Sequence, residues 1–124
     1  MKKILIADDS MTARMIVKRC LEMMGIKESQ FFEAKDGEEA LTMANQELPD
    51  LVIVDLNMPR MDGESLLKVL KTNSYTQAIP VIIASSAVNT IKNERLIALG
   101  AYGIVAKPVS PASLRQALGA LVQN

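Results

Sequence analysis

The sequence predicts a doubly wound α/β domain built on one five-stranded parallel sheet. Two observations carry this. Short apolar runs alternate five times with amphipathic stretches of helical period, and such alternation implies parallel strands joined by right-handed crossovers. The run Leu51-Val52-Ile53-Val54 is apolar at every position, as a strand covered by helices on both faces should be. A chain of 124 residues suits a single domain, taken as residues 1–124.

Ile4 to Ala7 reads as the first strand. Ala13, Val17, Cys20, Leu21 and Met24 recur at helical spacing, and Gly25 stops that helix. Phe31 to Ala34 is a short second strand. Asp36 followed by Glu39 reads as an N-cap with its capping-box partner, opening a helix with Leu41, Ala44 and Leu48 on one face until Pro49 closes it. After the third strand, Asp62 caps a helix through Leu66, Val69 and Leu70. Val81 to Ala84 is the fourth strand, and Val88 to Leu99 a fourth helix with the least regular apolar spacing, ended by Gly100. Ile104 to Ala106 is the fifth strand. Ser110 then caps a helix with Pro111 in its first position and Leu114, Ala117, Leu118, Leu121 and Val122 on its buried face. Cys20 and the eight methionines read as core filling.

Composition excludes several functions. Fourteen basic and fourteen acidic residues balance, so binding nucleic acid through bulk positive charge is not expected. No apolar run approaches the length of a membrane span, and two acids interrupt the first one too early for a secretory leader. With one cysteine there is no internal disulfide, and a cytoplasmic location is expected. The absence of histidine removes imidazole chemistry and His-ligated zinc.

In an open parallel sheet, ligands bind beyond the carboxyl ends of the strands where strand order reverses. Four of the five strands deliver polar residues there: Asp8 and Asp9, then Asp55, then Ser85 and Ser86, then Lys107. Each has an ordinary structural use, Asp8 or Asp9 as a helix cap and Asp55 as the start of a turn. Together they are harder to dismiss, because two like charges ~4 Å apart repel by about 1 kcal/mol in water and about 4 near a protein surface. A bound cation resolves that repulsion. With only oxygen ligands on offer, Mg²⁺ is the first choice, and a phosphoryl group is its natural companion. Lys107 and the Ser85 hydroxyl would then serve the phosphoryl oxygens.

The segment Leu51 to Pro59, with Met61-Asp62-Gly63 after it, resembles the phosphoacceptor region of the bacterial two-component response-regulator receiver domain. The likeness runs through the whole chain, from the paired acids after the first strand to Lys107-Pro108, and is of the stand-alone, chemotaxis-regulator kind. It implies the flavodoxin-like strand order 2-1-3-4-5, an order for which a chemotaxis receiver is itself a standard example. It also implies roles. Asp55 would take a phosphoryl group from the phosphohistidine of a sensor histidine kinase or phosphotransfer protein. Asp9 and Asp55 would hold Mg²⁺ directly with the Asn57 main-chain carbonyl, and Asp8 mainly through water. Lys107, joined to Pro108 by a cis bond, would contact the phosphoryl group, and Ser85 would move toward it. The protein would catalyse only its own phosphorylation and dephosphorylation, and as a monomer would signal to a downstream target protein.

Departures from the family pattern fall on the output side. Ile104 stands where an aromatic residue is usual, with Tyr102 two positions away and on the same side if strand alternation holds. Ser86 replaces an alanine and Val109 an aromatic residue, while Asn57 and Ala87 occupy positions that tune dephosphorylation in this family. Rival readings fit less well. An FMN binder would want a glycine- and hydroxyl-rich first loop and aromatic rings, and a haloacid-dehalogenase-type phosphohydrolase would want an acid where Asn57 stands. A receiver never phosphorylated, or one cut from a longer regulator, remains the alternative.

Overall fold

The computed structural model describes residues 1–87 and 89–122. Strands and helices alternate as β1 (Lys3–Ala7), α1 (Met11–Met23), β2 (Gln30–Ala34), α2 (Gly37–Glu47), β3 (Leu51–Asp55), α3 (Gly63–Thr72), β4 (Val81–Ser85), α4 (Thr90–Ala98), β5 (Gly103–Ala106) and α5 (Pro111–Leu118). All pairings are parallel, in the order β2-β1-β3-β4-β5. The chain leaves β1 on one side to form β2 and returns on the other to form β3, so the winding reverses between β1 and β3. The crevice beyond their carboxyl ends is the switch point.

Period-two alternation sorts the strand residues into two core layers. Leu5, Ala7, Val52, Val54 and Ile83 face one layer with Ala40 and Ala44 of α2, Leu66, Leu67 and Leu70 of α3, and Leu96 of α4. Ile4, Ile6, Leu51, Ile53 and Ile82 face the other, with Val17, Cys20 and Leu21 of α1 and Leu114 and Leu118 of α5. Every residue of β3 and β4 is buried. Each large apolar side chain so buried contributes about 1.5–3 kcal/mol, which makes these strands a firm base for whatever stands at their ends.

All five helices start on a side-chain cap. Ser10, Asp36, Asp62, Asn89 and Ser110 each accept the main-chain N–H three residues on, worth about 1 kcal/mol apiece. Because Ser10 caps α1, Asp8 and Asp9 are released from the capping role. Glu39 bonds the N–H of Lys35 rather than that of Asp36, so its half of the expected box sits one residue early.

The helix faces differ from the sequence reading in four places. Leu48 is 46% exposed with φ +46°. Pro49 bars it from continuing the helix, so it turns out and Ala40 and Ala44 supply the buried stripe. Val69 lies at the flank of α3 while Leu67 is buried in its stead, because the inward row starts at Gly63 and runs through Leu66, Leu67 and Leu70. The fourth helix starts at Thr90, and Val88 lies outside the described residues. α5 ends at Leu118: Gly119 takes φ +51°, and a 3₁₀ turn, Gly119–Val122, follows. Ala117 and Leu121 pack on the second layer as partly buried residues, and the Val122 side chain lies outside the described residues. Of the methionines, Met24, Met43, Met58 and Met61 pack against the core, but Met1, Met11, Met15 and Met23 are exposed.

Candidate functional site

Sheet register builds the site. Ala7 of β1 lies level with Val54 of β3, so the next residues, Asp8 and Asp55, emerge side by side at the switch point. Asp55 pairs with Ala84, and Ser85 with Ala106, which brings Ser85 and Lys107 to the same rim. The turn after β3 is drawn tight. The Leu56 N–H donates to the Ala84 carbonyl and the Gly63 N–H to the Leu56 carbonyl, both at 2.9 Å. A Cβ on Gly63 would stand 2.6 Å from the Asp55 carbonyl oxygen, so only glycine lets α3 close onto the end of β3. Arg60, at φ +69° in the same turn, lies 3.5 Å from Asp36 and 3.8 Å from Glu38.

Oxygens of Asp8, Asp9 and Asp55 lie within 4.8 Å of one another; Asp8 and Asp55 are buried and Asp9 is exposed. The Lys107 ammonium is 2.9 Å from Asp8 Oδ2, to which it donates a hydrogen bond, and 3.4 Å from Asp55 Oδ1. The Ser10 N–H donates to Asp8 Oδ1 at 2.9 Å. Burial first, and the Asp8 charge second, push the Asp55 carboxyl above the ordinary carboxylate value, against the pull of Lys107 and the Asn57 main-chain N–H. Burial pulls the Lys107 ammonium down, but its hydrogen bond to Asp8 and the Asp55 and Asp8 charges outweigh that and leave it raised. Two buried acids therefore share one cation, with exposed Asp9 beside them, and Asp55 carries the cost of its position as a raised carboxyl.

The remaining predicted residues occupy distinct places. The Ser85 side chain is buried, donating to the Ala87 carbonyl at 3.2 Å and accepting from the Ala87 N–H at 3.3 Å. Asn57 is exposed two residues beyond Asp55. Ile104 is half-buried against the layer of α2, α3 and α4. Tyr102 is exposed in the bend before β5, with its N–H donating to the Val81 carbonyl at 2.8 Å and its hydroxyl near Gly119, past α5. The Lys107-Pro108 bond is cis. Arg14 was not singled out from the sequence. It donates to the Asp8 carbonyl at 2.6 Å and to Glu33 at 2.8 Å. Its one signal was an arginine one turn inside the helix that follows the acidic pair.

The family model for the response regulator receiver domain matches residues 4–119. The chain belongs to that family. A receiver domain serves two-component signalling, and the relatives include both a chemotaxis protein and transcriptional regulators. A probable chemotaxis protein CheY of Rhizobium etli is 34% identical over 119 residues, covering 96% of this chain and 91% of that protein. A probable transcriptional regulator, ycf27 of Guillardia theta, is 34% identical over 99% of this chain, which spans only 46% of that protein. The solved structure of chemotaxis response regulator CheY4 of Vibrio cholerae superposes with a TM-score of 0.83 at 32% identity, covering 95% of this receiver and 96% of that chain. Among the described residues, no helix is long and apolar enough to cross a membrane.

Proposed function

We propose that Asp55 accepts a phosphoryl group from the phosphohistidine of a sensor histidine kinase or phosphotransfer protein, and that the aspartyl phosphate switches a protein-binding surface. The observation that carries this reading is the cluster of Asp8, Asp9 and Asp55 carboxylates, two of which, Asp8 and Asp55, meet the Lys107 ammonium. In the transfer, an Asp55 carboxylate oxygen bonds to phosphorus while the phosphorus–nitrogen bond breaks. The electron pair leaves with the imidazole.

The cluster fits Mg²⁺. Its donors are all oxygen and lie within 4.8 Å of one another, the hard ligands that this ion prefers. Asp9, Asp55 and the Asn57 main-chain carbonyl would hold the ion directly and Asp8 through water. When bound, Mg²⁺ supplies charge neutralisation at the phosphoryl oxygens. Asp8 holds Lys107 beside Asp55, where the ammonium can pair with a phosphoryl oxygen. Ser85 would exchange its bonds to Ala87 for one to the same group. From Ser85 and Lys107 the change would pass to α4, Ile104 and Tyr102, the surface for a downstream target.

On this reading residues 1–124 form one cytoplasmic, monomeric receiver that contacts no nucleic acid and turns over no substrate but its own phosphoryl group. Incubation with acetyl phosphate and Mg²⁺ should add one phosphoryl mass, Asp55→Asn should remove the labelling, and EDTA should stop it. Labelling of the Asp55→Asn protein equal to wild type, or unaffected by EDTA, would overturn the assignment; no labelling at all would favour an unphosphorylated interaction module.

A further inference from the structure

We propose that Arg14 is a positioning residue for the acidic turn: oriented by Glu33, it holds the Asp8 carbonyl and thereby aims the Asp9 carboxylate at the metal. This rests on the reading that Asp9 and Asp55 ligate Mg²⁺. The Arg14 side chain is only 14% exposed, an uncommon degree of burial for arginine. Its Nη1 donates to the Asp8 carbonyl at 2.6 Å and its Nε to Glu33 Oε1 of β2 at 2.8 Å. The guanidinium is a rigid fork, so two anchored donors leave it little freedom.

The consequence falls on Asp9. The Asp8 N–H is bonded to the Ala34 carbonyl at 3.0 Å, so both main-chain polar groups of Asp8 are held. The Asp8 carbonyl belongs to the peptide plane that leads into Asp9, and that plane is stiff. Among the described residues no hydrogen bond or ion pair holds the Asp9 carboxylate itself. The plane that Arg14 grips fixes where the Asp9 N and Cα stand, and so the point from which the carboxylate reaches the metal.

Charge and geometry predict opposite results when Arg14 is changed. As a cation near the site, Arg14 repels Mg²⁺, so on charge alone its loss tightens binding. As a positioning residue its loss weakens binding, by about tenfold if it acts like other groups that orient metal ligands. Arg14→Lys separates the two, since it keeps the charge and loses the fork.

Calorimetric titration with MgCl₂ reads the outcome, using wild type, Arg14→Met, Arg14→Lys and Glu33→Gln, with exposed Arg19→Met as the charge control. Arg14→Met should bind about tenfold more weakly, with Arg14→Lys and Glu33→Gln weaker than wild type by less. Arg19→Met should match wild type or bind slightly tighter. A merely structural arginine would lower the metal-free melting temperature and leave Mg²⁺ affinity alone. Unchanged or tighter binding in both Arg14 variants overturns the proposal. Should Arg14→Met fail to fold, Arg14→Lys and Glu33→Gln decide. If wild type binds no Mg²⁺, or Asp9→Asn binds as wild type does, the metal site itself fails and the proposal falls with it.

Discussion

Helix α3 buries Leu66, Leu67 and Leu70 and presses Gly63 against the end of β3, whereas α4 buries Leu96 alone and leaves Ile91 81% and Ile97 49% exposed. Both helices follow strands that end at the acidic cluster, β3 with Asp55 and β4 with Ser85. Helix α3 belongs to the frame that holds Asp55 still. Helix α4 has few buried contacts to lose, and its link to α3 through Arg95 and Glu64 is a surface ion pair, worth about 0–1 kcal/mol. A switch needs both kinds of element: a firm site and a neighbour that costs little to move.

The contrast breaks most visibly under truncation. Leu66→Ala should cost about 3 kcal/mol, since it empties a fully buried position, while Ile97→Ala should stay within about 0.5 kcal/mol. Denaturant melts of the two variants measure this, and equal losses would erase the difference between the helices.

Lys107→Ala attacks the junction between them. It leaves Asp8 and Asp55 buried without their cation, at a cost of about 2 kcal/mol at neutral pH, and the cost should shrink in acid as Asp55, whose carboxyl is already raised, takes up its proton. The fold should survive, but on the proposed reading, in which Lys107 pairs with the phosphoryl group, phosphorylation should no longer alter partner affinity. A full phosphorylation-dependent change in affinity would refute that.

Asp55→Asn tests the strain held at the frame. Burial and Asp8 raise the Asp55 carboxyl above its ordinary value, so the folded protein binds that proton more tightly than the unfolded chain does. Ionisation therefore costs stability at every pH above the folded value, and the cost disappears once pH falls below the unfolded one. The variant should be more stable than wild type near pH 7 by on the order of 1 kcal/mol, with the gap closing through the acid range. Melts across pH with Mg²⁺ absent read it directly; a variant less stable at pH 7 would contradict the sign.

The finest effect is the spread of the switch. Amide shifts on adding a beryllofluoride mimic should extend from the acidic rim through residues 86 to 104 and leave the body of α3 nearly still. Since Ile104 has no ring, the change should show as displacement of α4 and its loop. Shifts confined to Asp8, Asp9 and Asp55 would place the output elsewhere.

Local pattern made most of this molecule legible. Period-two and helical spacing located all five strands and helices, Asp36, Asp62 and Ser110 announced their caps, and the residues just past the apolar runs are those that meet at the carboxyl rim of the sheet. These features are readable because each depends on neighbours a few residues away. Tertiary structure alone decided the rest. It set Leu67 rather than Val69 inward on α3, because Gly63 docks against β3. It brought the Tyr102 hydroxyl near Gly119, past α5. It joined Lys107 to Asp8 across 99 residues and brought Arg14 to the Asp8 carbonyl between Glu33 and the acidic turn. Such pairings follow from sheet register and helix docking, which arise only when distant segments bury their apolar faces together.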